Sequence, residues 1–169
     1  IWKAGGIVVS VNPTYTEREL ENTLVSTGAS LVVTLTPFYQ RVKGIQSRTA
    51  VRRVVATSIK EYLPPALRWL FTLFKEKQGG HRISLATDDV WLQNLVRAHR
   101  SSPRPAITVQ PDDQAVILSS GGTTGTPKGV AISHHGLSNL LAAYRRTYGL
   151  GEWRPVVAQV TFFAFAVFQ

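Results

Sequence analysis

Apolar runs alternate with amphipathic segments along the first third of the chain. Three near-continuous apolar runs predict buried strands: residues 6–11, 29–34 and 51–56. An amphipathic segment separates the first two runs, and a short helix is predicted around 38–45 before the third. Strands that are apolar on both faces and alternate with helices are typical of a parallel sheet covered by crossover helices. The pattern therefore predicts an α/β fold.

The segment between the first two predicted strands carries signals for both of its ends. Thr16, with Glu19 three residues later, predicts a capping box in which each side chain bonds the backbone N–H of the other residue. Gly28 suits the left-handed position that follows a helix. The apolar positions predict an inward face made of Leu20, Leu24 and Val25.

Two further helices are predicted in the second half. The first spans 88–99, and its predicted inward residues are Val90, Trp91, Leu95 and Val96. The second follows Ser133, a favourable N-cap, and ends at Gly149, with an apolar face of Leu137, Leu140, Leu141 and Tyr144. Between them, the Ser- and Pro-rich residues near 101–106 predict a loop, which we interpret as a seam between subdomains. A strand is predicted at 115–118.

Residues 62–77 differ from the rest of the chain. A Tyr-Leu-Pro-Pro entry is followed by an apolar stretch rich in Leu, Phe and Trp, with Arg68, Lys75 and Lys77 beside it. Such a segment can lie on a membrane surface, or it can be a helix packed on the sheet or on further parts of the protein. Both interpretations stay open. No run approaches the roughly 18 apolar residues of a membrane-spanning helix.

Charge and composition narrow the choice of partners. Nineteen Lys and Arg against ten Asp and Glu give a net charge of +9, which favours anionic partners such as nucleotides, nucleic acids or acidic lipids. Further segments with compensating acid would weaken that inference. The sequence begins at Ile1 and ends at Gln169 inside an apolar run, so we expect a piece of a longer chain. Cysteine is absent, which excludes disulfides and thiolate chemistry and fits a cytoplasmic protein.

The run 119–130 carries the clearest chemistry. Its glycines allow backbone N–H groups to converge, its hydroxyls add donors, and Lys128 adds a positive charge, as in a loop that wraps phosphate oxygens. The pattern is neither the common P-loop, since Gly129 follows the lysine, nor a dinucleotide fingerprint. The predicted nucleotide-binding residues are Ser120, Gly121, Gly122, Thr123, Thr124, Gly125 and Lys128.

This run resembles the signature loop of the adenylate-forming, or AMP-binding, superfamily, which includes acyl-CoA synthetases, luciferases and peptide-synthetase adenylation domains. The positions in register are Gly122, Thr123, Thr124, Gly125, Pro127, Lys128 and Gly129. The glycine pair formed with Gly121 looks like long-chain fatty acyl-CoA synthetases, whereas Ser119 stands where a Tyr is frequent. A second segment upstream, with Lys3, Ala4, Gly5, Pro13 and Tyr15, resembles another stretch of the same family.

The resemblance implies a partial large N-terminal domain over 1–169 and an ATP-dependent activation of a carboxylic acid, a fatty acid by preference. The acid would form an acyl-adenylate and then a CoA thioester. The resemblance implies ATP, Mg²⁺ and CoA as cofactors and cosubstrates, and no nucleic acid partner. The family's main catalytic residues, including a C-terminal lysine, would lie beyond Gln169, so this piece by itself is expected to be inactive. Two alternatives remain: an amino-acid or aryl-acid adenylation domain that loads a carrier protein, and a non-catalytic basic protein that associates with membranes.

The remaining candidates are weaker. His134 and His135 are predicted in a first helical turn near the loop, either beside the phosphates or simply at the helix start. No paired-histidine spacing indicates a metal site. Asp112 and Asp113 are interpreted as a solvated turn, because neighbouring residues of an extended chain point apart. The tail 150–169 matches neither of the family's substrate signatures, since Ala166 falls where an amino-acid-binding Asp would stand.

Overall fold

The computed structural model of the chain describes residues 1–74, 76, 79–120, 128–148 and 164–167. The described strands are β1 (Val8–Val11), β2 (Leu31–Leu35), β3 (Arg53–Thr57), β4 (Val90–Trp91), β5 (Gln114–Ser120), β6 (Lys128–Ser133) and β7 (Ala164–Val167). The described helices are α1 (Glu17–Thr27), α2 (Tyr39–Gln46), α3 (Pro65–Phe74), α4 (Leu92–Ala98) and α5 (His134–Tyr148).

The described strands form one sheet in the order β4-β3-β2-β7-β1-β5-β6. The pairs β1–β5, β2–β3 and β3–β4 are parallel, which confirms the predicted α/β class with a parallel sheet and crossover helices. Two strands depart from that pattern: β7 is antiparallel to both β1 and β2, and β6 is antiparallel to β5. Because β7 opposes both of its neighbours, β1 and β2 run the same way, and the carboxyl ends of β1 to β5 share one edge.

Helix α1 has both of its predicted ends. The Thr16 Oγ1 accepts from Glu19 N at 3.3 Å, Glu19 Oε2 accepts from Thr16 N at 2.8 Å, and Gly28 follows with φ 63°. Its inward face is Leu20, Thr23 and Leu24, so the prediction of Val25 was wrong: that side chain is 54% exposed. Thr23 tolerates burial because its hydroxyl donates to Glu19 O at 2.8 Å.

The core lies where α1 and α2 cover the sheet. Its buried apolar residues are Val9, Val11, Leu20, Leu24, Ala29, Val32, Tyr39, Val42, Ile45, Val51, Val54 and Ala56. The residues come from β1, β2 and β3, from the two helices and from the turns between them. Burial of each large aliphatic side chain contributes roughly 1.5–3 kcal/mol, so these residues stabilise the half of the sheet that α1 and α2 cover.

One carboxylate is buried within that core. Asp89 accepts from Tyr39 OH at 2.6 Å and Val54 N at 2.8 Å, and pairs with Lys43 Nζ at 2.9 Å. The Tyr39 oxygen in turn accepts from Ala86 N at 2.9 Å. Burial alone would raise the pKa of Asp89, but these donors outweigh it and hold the pKa below its ordinary value. Asp89 therefore ties α2, β3 and the approach to β4 together.

Two predictions in the middle of the chain need correction. Val90 and Trp91 form β4 rather than the start of a helix, because β3 offers them a parallel partner strand, and α4 begins only at Leu92. Val96 is 60% exposed, not inward. The third strand begins two residues later than predicted, at Arg53. Residues 102–110 contain no helix or strand, and the subdomain seam near 101–106 stays a prediction.

Candidate functional site

The glycine-rich run joins two paired strands. β5 and β6 form an antiparallel ladder in which Ser119 faces Gly129 and Ser120 faces Lys128. The connection between them, residues 121–127, contains Gly121, Gly122, Thr123, Thr124 and Gly125 and lies outside the described residues. Of the predicted nucleotide-binding residues, the structure therefore places the backbones of Ser120 and Lys128. They stand opposite each other at the two ends of the loop.

The two family-like segments meet in the sheet. Although more than a hundred residues separate them in sequence, β1 and β5 pair in parallel, with Val8 opposite Val116 and Ser10 opposite Leu118. The turn after β1 and the loop after β5 consequently leave the sheet at the same edge. Ligands of open α/β sheets bind outside the carboxyl ends of the strands. This edge is the candidate site.

The turn after β1 is held by its own side chains and by α2. Asn12 Oδ1 accepts from Thr14 N at 2.9 Å and from Thr14 Oγ1 at 2.8 Å. Arg41 Nη1 donates to the carbonyl oxygens of Pro13 and Tyr15, both at 3.0 Å. Arg41 was missed in the sequence analysis, because it lies on a helix far along the chain and no local motif marks it. Its two bonds fix this turn beside the loop.

The first residues of the upstream segment have structural roles. Trp2 Nε1 donates to Ala115 O at 2.8 Å and so joins the start of the chain to β5. Gly5 has φ 73°, a conformation that other residues adopt at a cost, and an added Cβ would lie 3.0 Å from Ile107 Cγ2. The motif glycine is therefore required by the backbone turn and by the space available to it.

The glycine after Lys128 also has a structural reason. A Cβ on Gly129 would lie 3.1 Å from Ile117 Cγ2, closer than most side-chain contacts in proteins. Gly129 faces Ser119 across the ladder, one pair before the loop begins. A larger residue here would push on β5 just where the loop starts, so this position controls the geometry of the loop ends.

The histidines lie at the far end of β6 from Lys128, the strand residue that follows the glycine-rich run, and their contact with the phosphates stays a prediction. Helix α5 begins at His134, after β6 has run the length of the hairpin from Lys128 to Ser133. At about 3.3 Å per strand residue, that distance is roughly 17 Å. His134 N donates to Asp113 O at 3.0 Å, at the amino end of β5. Ser133 does act as the N-cap, since its Oγ accepts from Gly136 N at 3.2 Å.

The acidic pair matches its interpretation as a turn. Asp112 and Asp113 are exposed, and Asp113 Oδ2 accepts from Gln110 N at 2.8 Å. Within the described part of the chain, no group of three or more His, Cys, Asp or Glu side chains could hold a metal ion.

Comparison with known proteins identifies the family. The model of the AMP-binding enzyme family matches residues 1–169, the whole chain. This chain belongs to the AMP-binding enzyme family. The long-chain-fatty-acid–CoA ligase of Bacillus subtilis (strain 168) is 31% identical to it over 140 residues, covering 82% of this chain and 24% of the ligase.

Two further proteins are similar to the AMP-binding chain. The HC-toxin synthetase of Cochliobolus carbonum is 30% identical over 158 residues, covering 93% of this chain and 2% of that protein. The crystal structure of an acyl-CoA synthetase from Brucella canis shares the fold, with a TM-score of 0.61 at 21% identity over 85% of this chain and 22% of that one. The chain thus spans about a quarter of the length of the Bacillus ligase.

Proposed function

We propose that the AMP-binding chain belongs to an enzyme that activates a fatty acid with ATP and transfers the acyl group to CoA. A carboxylate oxygen of the acid would attack the α-phosphorus of ATP, forming the acyl-adenylate and releasing pyrophosphate. The CoA thiol would lose its proton as sulfur attacks the acyl carbon, giving the thioester and AMP. The name of the Bacillus relative supports a long-chain fatty acid and CoA as the substrates.

The observation that carries this proposal is the position of the two strand ends that flank the glycine-rich run. Its two ends, Ser120 and Lys128, face each other in the β5–β6 ladder, at the carboxyl edge beside the turn after β1. A loop pinned at both ends loses less conformational freedom when it closes on a ligand. Its N–H groups, the Thr123 and Thr124 hydroxyls and the Lys128 ammonium would hold the β- and γ-phosphates. They would stabilise the charge that builds on the departing pyrophosphate.

The test is ATP–pyrophosphate exchange by the complete polypeptide, with fatty, amino and aryl acids compared as substrates. We expect exchange with fatty acids and a loss of about 10²-fold in Lys128→Ala, the magnitude typical of removing one preorganised donor. Arg52→Ala is the control, because Arg52 is exposed and outside this edge. Exchange at the wild-type rate in Lys128→Ala would contradict the role of the loop, and exchange with amino acids alone would contradict the substrate.

We also propose that α3 contacts an acidic membrane surface. No residue of this fully described helix is buried, so it does not pack into the sheet, and Trp69 and Phe74 are 67% and 64% exposed. Leu67, Leu70 and Leu73 add further exposed apolar surface, and the chain's charge of +9 complements anionic lipids. Among the described residues, no helix has the length and apolarity required to cross a bilayer.

Sedimentation with phosphatidylglycerol vesicles tests that contact. Trp69→Asp combined with Phe74→Asp should reduce pelleting with the vesicles, because it places two negative charges on the apolar surface of α3. Both side chains are exposed, so these substitutions should not disturb the fold. Phe71 is avoided, since its ring packs on His81 with centroids 4.9 Å apart. Val96→Asp, on the exposed face of α4, is the matched control. Equal pelleting of the double variant and the control would remove the membrane proposal and favour burial of α3 by other parts of the polypeptide.

A further inference from the structure

A cavity opens beside β3 and β4, at the opposite side of the sheet from β5 and β6. It has a volume of about 340 Å³ and includes Ser58, the residue that directly follows β3, and Trp91, the last residue of β4. Four strand spacings separate β3 from β5 in the sheet order. At about 4.8 Å each, they place this cavity roughly 19 Å from the loop-bearing strand. The cavity is therefore separate from the candidate nucleotide site.

The cavity has an excess of positive charge. Its ionisable lining, apart from a histidine, is Lys60, Arg68, Arg82, Arg97, Glu61 and Glu76. Both carboxylates are already paired: Glu76 with Lys60, and Glu61 with Arg68 Nη2 at 2.9 and 3.0 Å. The two remaining guanidinium groups, on Arg82 and Arg97, have no carboxylate partner among the described residues.

The histidine does not change this balance. His81 Nδ1 lies 3.1 Å from Thr36 Oγ1, and its ring packs edge-on against Phe71. Burial lowers the pKa of His81, with only partial opposition from Glu76. We therefore count the imidazole as neutral at pH 7, and two positive charges, on Arg82 and Arg97, remain for an incoming anion.

A buried hydroxyl completes the donor set. Ser58 is 2% exposed, and its Oγ has no hydrogen-bond partner among the described protein atoms. Buried polar side chains are normally paired, and an unpaired one costs free energy. A hydroxyl can donate to a phosphate oxygen, whereas the half-buried side chain of Ile83 on the cavity wall cannot.

We propose that this cavity is a second anion site, which binds a phosphate group through Arg82, Arg97 and the Ser58 hydroxyl. Arginine suits the role because its planar fork of donors matches the oxygens of a phosphate. The phosphate can belong to a free ion or to a lipid headgroup, since the exposed helix α3 carries Arg68 at the rim of the same cavity. The chemistry recognised is the same in both cases.

The test measures phosphate binding by the complete polypeptide in two arms. Calorimetric titration with inorganic phosphate reports the free ion, and vesicles of phosphatidic acid, compared with phosphatidylcholine alone, report the headgroup. We expect Arg82→Gln combined with Arg97→Gln to weaken binding at least tenfold in the arm where the wild type binds, and Ser58→Ala to weaken it a few-fold. Arg104→Gln, in the exposed loop, should bind like the wild type.

The two arms distinguish a free phosphate ion from a lipid headgroup as the ligand. Binding in the phosphate arm identifies a free ion, and binding only to phosphatidic acid identifies the headgroup. Both guanidinium groups are exposed, so the double variant should keep the wild-type thermal midpoint, which serves as the folding check. Unchanged binding by the double variant in both arms would overturn the proposal, as would a wild type that binds in neither arm.

Discussion

Replacing Asp89 by alanine removes the only carboxylate that the described core holds at its centre. The substitution would leave Val54 N without its acceptor at 2.8 Å, Tyr39 OH without its acceptor at 2.6 Å and Lys43 without its ion pair at 2.9 Å. All three partners lie on elements that pack against one another, α2 and β3. The cost should therefore appear as destabilisation of this half of the sheet.

The magnitude follows from the number and burial of these partners. A hydrogen bond to a charged group contributes about 1.5–3 kcal/mol, and breaking a buried ion pair costs about 3–5 kcal/mol. The Lys43 side chain is 26% exposed and can recover water, so its share is at the lower end. We expect Asp89→Ala to cost about 3–5 kcal/mol, and Asp89→Asn about half of that, because the amide keeps one acceptor for Val54 N.

Hydrogen exchange at Val54 is the appropriate assay. The Bacillus relative is more than three times as long as this chain, and in a polypeptide of that length a global unfolding midpoint would also report other parts of the protein. A loss of 3–5 kcal/mol corresponds to exchange about two to four orders of magnitude faster. Asp88→Ala is the matched control, since Asp88 is exposed and adjacent. Equal protection of Val54 in Asp89→Ala and Asp88→Ala would refute the reasoning.

Two other predictions use the same residues and the upstream motif. Because the folded-state pKa of Asp89 is lowered, the stabilisation that its carboxylate provides is present above about pH 4 and is lost as pH falls through the folded pKa. Protection of the Val54 N–H against hydrogen exchange should therefore fall below about pH 4 in the wild type, and much less in Asp89→Asn. Gly5→Ala should lower the free energy of unfolding by about 1–2 kcal/mol, because alanine would have to adopt the positive φ of Gly5 and its Cβ would press on Ile107. Faster hydrogen exchange of the β1 amides would show this loss, and unchanged exchange would contradict the prediction.

Some features of this AMP-binding chain follow from local sequence. The capping box of Thr16 and Glu19, the left-handed Gly28 and the N-cap at Ser133 were predicted because each depends on residues within a few positions. The parallel class of the sheet followed from apolar runs of strand length. The glycine-rich motif indicated the family, since backbone groups that converge on phosphate need glycine at particular spacings.

Other features depended on neighbours distant in sequence. Thr23 and Val25 lie on either side of Leu24 in the sequence, and only packing against the sheet decides that Thr23 is inward and Val25 is exposed. His134 follows the motif closely in sequence, yet β6 carries it to the opposite end of the hairpin. Asp88 and Asp89 look alike in the sequence, but the fold places one in water and the other among Tyr39, Lys43 and Val54.

The sequence by itself determined the family and the α/β class, because short-range backbone chemistry and the pattern of apolar runs encode both; that the loop holds phosphates stays a prediction of the same motif. The tertiary structure decided that the two motifs lie on paired strands, that Arg41 fixes the turn beside the loop, and that Arg82, Arg97 and Ser58 line one cavity. The physical reason is that pairing and burial bring together residues whose separation along the chain carries no local signal.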